Sequence, residues 1–192
     1  MKRLLLILII TLNFQSWIKA DDIRDFEIEG MSIGDSALDF FSKSVLEKNK
    51  ELEWYDTKVF TPIAELKLND SKTYTSFQIA VKTKDKKYKI ESVGGFVFYK
   101  DDISKCYKKL DSISKEIKEL FVNIKDLGKE TYKHSYDKTG KSKITDIILL
   151  DTNGNEVVVA CYDWSDHLPY WDQLRISINS NEYADWLKIA YN

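Results

Sequence analysis

DDISKCYKKLDSISKEIKELFVNIKDLG, residues 101–128, is the stretch whose reading decides how this chain is put together. Its apolar residues Ile103, Cys106, Leu110, Ile113, Ile117, Leu120, Ile124 and Leu127 follow one another at alternating steps of three and four. Positions three and four apart share one face of a helix, so the spacing predicts a long amphipathic helix ending at Leu127. Gly128 supplies its stop. A seam this regular would also suit a helix-mediated homodimer. The flanking segments are strand-like, so the stripe is expected to lie across a sheet and the chain to be a monomer. Cys106 stands on the stripe and therefore faces whatever the helix covers.

Downstream, a polar stretch at residues 129–143 leads to apolar runs at 144–150 and 157–163, separated by Asn153-Gly154, a strong hairpin signal. Val157, Val159 and Cys161 share one strand face, which is placed under the long helix. Residues 173–179 alternate Leu174, Ile176 and Ile178 inward with Arg175 and Ser177 outward, and Ser180 or Asn181 caps a last helix to Tyr191. Upstream, a lead strand at 26–29 breaks at Gly30. Ser32 or Asp35 then caps a helix running to about Lys48, with Ala37, Leu38, Phe41 and Val45 on its apolar side. Strands are expected at 55–62, 74–83 and 88–99. Lys84-Asp85-Lys86-Lys87 makes the turn between the last two, and Gly94-Gly95 marks a bulge or bend in the third. The elements predict an α+β chain in tandem: a helix and three antiparallel strands, a long helix packed on a second three-stranded sheet, and a C-terminal helix. Residues 21–192 are read as a single domain with halves at 21–100 and 101–192.

The first twenty residues carry an address. Lys2 and Arg3 precede an apolar run at 4–12, and Ile18-Lys19-Ala20 ends in a small residue, the pattern of a cleaved signal peptide. No cysteine follows the run, so a lipid anchor is not indicated, and the product is expected in the periplasm or outside the cell. Cleavage after Ala20 removes three basic residues and no acid, taking the formal net charge from −2 to −5. That balance argues against nucleic acid as a partner, since there is no basic excess to release counterions. Cys106 and Cys161 are the only cysteines, and in an oxidising compartment they are expected to pair. Closing a loop of that length stabilises a fold by about 4 kcal/mol. With His134 and His167 the only histidines, no zinc site and no cofactor are expected.

Three motifs tempt a sharper reading. Gly34-Asp35-Ser36 with the later Asp166-His167 has the order of a Gly-Asp-Ser-Leu serine esterase, and a hydrolase using Ser36 and His167 is the alternative function. The aspartate three residues before the histidine and the Gly-x-Asn-Asp oxyanion block of that family are missing, and successive hairpins replace its alternating strands and helices. Gly140-Lys141-Ser142 lacks the first glycine and the preceding strand of a phosphate loop. Asp151-Thr152-Asn153-Gly154-Asn155-Glu156 has its glycine too early for a calcium loop. The densest chemistry lies in residues 162–172, where large aromatics alternate with acids. Tyr162, Trp164, Asp166, His167, Tyr170 and Trp171 are the candidate binding surface, because aromatic faces beside carboxylates hold sugars, quaternary amines or a partner's side chains. The leading expectation is an exported, non-enzymatic protein that binds a protein or small-molecule partner, with no membrane anchor after cleavage.

Two resemblances accompany this reading. The tandem layout and the segment Gly30-Met31-Ser32-Ile33-Gly34-Asp35-Ser36 are similar to the beta-lactamase-inhibitor-like fold, including small outer-membrane assembly lipoproteins that share it. Through Gly34-Asp35-Ser36 and Cys161-Tyr162-Asp163-Trp164-Ser165, most of the mature chain resembles an uncharacterised family of small exported proteins from streamlined marine bacteria. That resemblance implies export and no particular activity.

Overall fold

The alternating apolar runs become strands of one antiparallel sheet: β1 (Phe60–Leu66), β2 (Ser76–Lys82), β3 (Ile90–Phe98), β4 (Lys125–Lys133), β5 (Lys143–Leu150), β6 (Glu156–Asp163) and β7 (Gln173–Asn179). Their spatial order is β1-β2-β3-β7-β6-β5-β4. This computed structural model describes residues 22–53, 55, 58–100 and 102–190, so the signal peptide expected at residues 1–20 lies outside the described residues.

The period of two sorts each strand into two faces. On one face Phe77, Ile79, Val93, Ile178, Val157, Val159 and Leu149 form a continuous buried layer. Two covers close it. Helix α2 (Ile103–Leu120) lies over β5, β6 and β7 and buries Cys106, Leu110 and Ile117. The chain before β1 brings Ile23, Ile28, Met31 and Leu46 to the same core, the last from helix α1 (Lys43–Lys48). On the opposite face helix α3 (Asn181–Ala190) seats Tyr183 and Trp186 against Phe60 and Ala80. A disulfide joins Cys106 of α2 to Cys161 of β6, with Cα atoms 6.0 Å apart. No helix among the described residues is long and apolar enough to cross a membrane.

The tandem of two three-stranded sheets is overturned. β7 pairs with β3 on one side and β6 on the other, which fuses both halves of the chain into one seven-stranded sheet. The long helix is also shorter than its stripe. It stops at Leu120 because Phe121 turns extended (φ −104°, ψ 150°) and buries beside Phe26, with ring centroids 6.4 Å apart. Ile124 and Leu127 therefore leave the helix, and residues 125–133 become the edge strand β4, in which Gly128 takes φ +94° at a bulge. Since Cys106, Leu110 and Ile117 are buried against the sheet, no heptad seam is left open along that part of α2.

Local signals shift elsewhere for identifiable reasons. The helix expected before Lys48 breaks in two because two serines cap in succession: Ser36 opens a short 3-10 turn at Ala37–Asp39, and Ser42 opens α1. The lead strand is a bridge between Ile28 and Met31 around a turn at Glu29-Gly30. The first strand begins at Phe60 rather than residue 55 and runs on to Leu66, and its outer edge pairs with residues 49–51. Gly94-Gly95 makes no bulge. Both residues pair in register with β2 and β7, and the missing side chains make room for other groups. A Cβ on Gly95 would lie 2.4 Å from the Tyr74 ring, and one on Gly94 would lie 3.0 Å from Arg175 Nε.

Candidate functional site

The antiparallel order puts the ends of β3, β4 and β6 and the starts of β5 and β7 along one end of the sheet. Two of the connections that emerge there lie side by side, the β6–β7 loop at residues 164–172 and the β4–β5 turn at residues 134–142. Sequence reading placed the candidate surface in the first. The structure supplies a second wall from the other.

Between the two connections lies a cluster of rings. His134 and Trp164 have centroids 4.4 Å apart, Trp164 and Tyr170 4.7 Å, and Tyr136 and Tyr170 5.8 Å. Tyr162, the last aromatic residue of β6, stacks near Trp164 at 6.1 Å with planes 18° apart. Contacts of this kind add about 0.5–1.5 kcal/mol per pair beyond burial. The cluster is half open to solvent: Tyr136 is 59% exposed and Tyr170 43%. Trp171 faces the other way, edge-on to Phe98 at 5.7 Å and 54% exposed, with Lys100 Nζ 3.6 Å from its ring centroid. That seat for an ammonium group is a cation–π contact within the chain itself.

Polar links fix the cluster in place. Trp164 N donates to Asp172 Oδ1 at 2.7 Å, and Ser165 N to Ser142 Oγ at 3.0 Å. His167 shares a 2.5 Å hydrogen bond with Ser165 Oγ through Nδ1, and its Nε2 lies 3.4 Å from Asp137 Oδ1. Asp137 is buried and accepts four hydrogen bonds, from the N–H and hydroxyl groups of Ser142 and Thr139, at 2.7–2.9 Å. Burial resists its charge, but these donors outweigh burial and hold its carboxyl far below the usual carboxylate range. His134 is shifted down by burial, against the pull of Asp137, and its Nδ1 accepts from Tyr136 N at 3.1 Å. Asp172 is shifted up, first by burial and then by the like charges of Asp163 and Asp166.

Ser165, His167 and Asp137 have the composition of a hydrolytic triad. Their polarity is reversed, since in that mechanism the acid orients Nδ1–H and Nε2 takes the serine proton. Here the acid faces Nε2, and its oxygens already accept four other donors. The contacts tie the two connections together. Ser36, the nucleophile of the hydrolase alternative, is at the other end of the sheet: it bridges to Lys89 and its Oγ donates to Lys87 O at 2.8 Å. The length of β3 separates it from His167, roughly 25 Å at the rise of a strand.

Of the candidate residues, the structure gathers Tyr162, Trp164 and Tyr170 in one ring cluster and uses His167 as a tie. Asp166 is exposed beside them and Trp171 stands to the side. His134, Tyr136, Asp137 and Lys100 join the site from segments that carried no functional signal in sequence. The pairing of β4 with β5 and of β5 with β6 brings in the first three, and the pairing of β3 with β7 brings in Lys100. Among the described residues no group of three or more His, Cys, Asp or Glu side chains is arranged to hold a metal ion. Comparison with protein-family models, with curated proteins and with solved structures finds no match to this chain.

Proposed function

We propose that the chain is an exported, non-enzymatic binding or protein-interaction domain whose contact surface is the aromatic end of the sheet. The observation that carries this reading is the exposure of Tyr136, Tyr170 and Trp171 on connections that the hydrogen bonds of Asp137, Asp172 and Ser142 hold rigid. Ordered aromatic faces standing in water lose little entropy on binding and recover apolar contact. The three carboxylates Asp163, Asp166 and Asp172 around them favour a partner that presents cationic or hydroxyl-rich groups over an anionic one. Export is supported by the signal-like first twenty residues and by the Cys106–Cys161 bond, which persists in an oxidising compartment.

The test is a panel of quaternary amines, lysine-rich peptides and oligosaccharides, read by tryptophan emission. A binder should shift the emission of the wild type, and Tyr170→Ser combined with Trp171→Ser should weaken it at least ~10-fold, the scale of losing one interfacial anchor. A binder whose affinity survives both substitutions removes this surface from consideration.

A further inference from the structure

The β5–β6 turn does more than reverse the chain. Gly154 N donates to Asp151 O at 3.2 Å, so Thr152 and Asn153 occupy the centre of the turn and Gly154 follows at φ +82°. Around it three pieces of the protein meet. Asp151 Oδ2 accepts from Ile23 N at 3.2 Å, Asn153 Nδ2 donates to Asp22 Oδ2 at 3.1 Å, and Asn155 Oδ1 accepts from Asn181 N at 3.1 Å, at the start of α3. The turn is thus a polar latch on the start of the N-terminal segment, whose Ile28 and Met31 are held separately in the core.

Asn153 is exposed and is the only asparagine in the sequence followed by glycine. Glycine has no Cβ to shield its own amide nitrogen, so that nitrogen can reach the preceding side chain. We propose that Asn153-Gly154 is a site of spontaneous modification whose conversion opens this latch. When the turn opens and the Gly154 N–H leaves Asp151 O, Gly154 N loses its proton to solvent and attacks Asn153 Cγ; a C–N bond forms, the Cγ–Nδ2 bond breaks and, with a proton from water, ammonia leaves. Water then opens the cyclic imide at either carbonyl, giving aspartate or isoaspartate at residue 153. The step involves no oxidant and no enzyme.

The product loses the donor that Asp22 accepts and places a new carboxylate against Asp22 and Asp151. Arg24, through hydrogen bonds and charge, holds the Asp22 carboxyl below its ordinary value, so Asp22 is ionised at neutral pH. Two or three facing carboxylates then replace a hydrogen bond. The cation beside them is Arg24, whose side chain already binds Asp22 at 2.5–3.0 Å, and Asp25 adds a further negative charge near it. Repulsion should loosen residues 22–25 from the turn, while Ile28 and Met31 keep the rest of the segment on the core.

The molecule carries its own internal control. Asn179 precedes the small residue Ser180, yet it is buried and its side chain is engaged by Ser92 and Glu156 at 2.6 and 2.9 Å. The purified protein is aged at mildly alkaline pH and physiological temperature, with peptide mass mapping and limited proteolysis as readouts. The expected result is a gain equal to the mass difference between a carboxylic acid and its amide at residue 153, with none at 179, and faster cleavage within residues 22–25. Asn153→Gln should abolish both changes. The proposal fails if Asn153 stays intact in the folded protein after a denatured sample has converted, or if conversion leaves the cleavage rate unchanged.

Discussion

Glu156 shows what single residues contribute. It opens β6 on the face opposite α2, is buried, and accepts from Asn179 Nδ2 at 2.9 Å, while Asn179 Oδ1 accepts from Ser92 Oγ at 2.6 Å. Burial pushes its carboxyl above the ordinary value of 4.5, with the Asn179 hydrogen bond pulling the other way. A carboxyl with a higher pKa folded than unfolded contributes stability that is complete below the unfolded value and is lost as pH rises through the folded value. Glu156→Gln keeps the acceptor and removes the buried charge. It is expected to raise Tm at about pH 7.5 by ~2–4 °C and to give no gain at about pH 4. A less stable variant at neutral pH contradicts the assignment. In sequence, Glu156 reads only as the end of a calcium-loop-like run in a hairpin turn, because burial of an acid depends on the neighbouring strand. Cys106 and Cys161 were legible, because each stood on an apolar face and the two were the only cysteines in the chain.

At the scale of elements, the two glycines of β3 separate packing from conformation. Neither has the positive φ that would demand glycine, so substitution cost comes from space alone. A Cβ at Gly95 meets three ring atoms of Tyr74 within 2.4–2.7 Å, whereas one at Gly94 meets the Arg175 and Ser177 side chains at 3.0–3.1 Å. Gly95→Ala is expected to cost ~1–3 kcal/mol, the range for overpacking, and more than Gly94→Ala, measured by urea unfolding. Equal costs, or a smaller one at Gly95, would refute the packing account. β2 and β7 were readable because their apolar residues alternate in sequence, although Gln78, Ala80 and Ser177 on the other face are buried as well. β4 was not: all nine of its residues are exposed, so no apolar period marks it, and its Lys129, Glu130 and Lys133 read as a loop. The three-four spacing that carries α2 continues by chance through Ile124 and Leu127, and only the burial of Phe121 shows where the helix ends.

For the whole molecule, the disulfide and the aromatic end belong to one arrangement. Cys161 lies beneath α2 one residue before Tyr162, so the bond anchors the strand from which the β6–β7 loop departs. Replacing both cysteines with serine should cost about 4 kcal/mol, by the entropy of a loop of that length. Alkylation of the unreduced wild type should leave both sulfurs unmodified, and two alkylated thiols in the native protein would refute the bond. The β6–β7 loop was visible in sequence as a run of aromatics and acids. Its partner wall, His134 to Ser142, was hidden because the register between β4 and β5 exists only in the folded sheet. The most direct test of the proposed contact surface is co-purification from the native exported fraction, with bound proteins and small molecules identified by mass spectrometry. Tyr170→Ser with Trp171→Ser is compared with the wild type and with Ile189→Ser, a change at an exposed apolar residue of α3. The account predicts a partner recovered with the wild type and Ile189→Ser and lost from the double variant; a partner recovered equally with all three contradicts it.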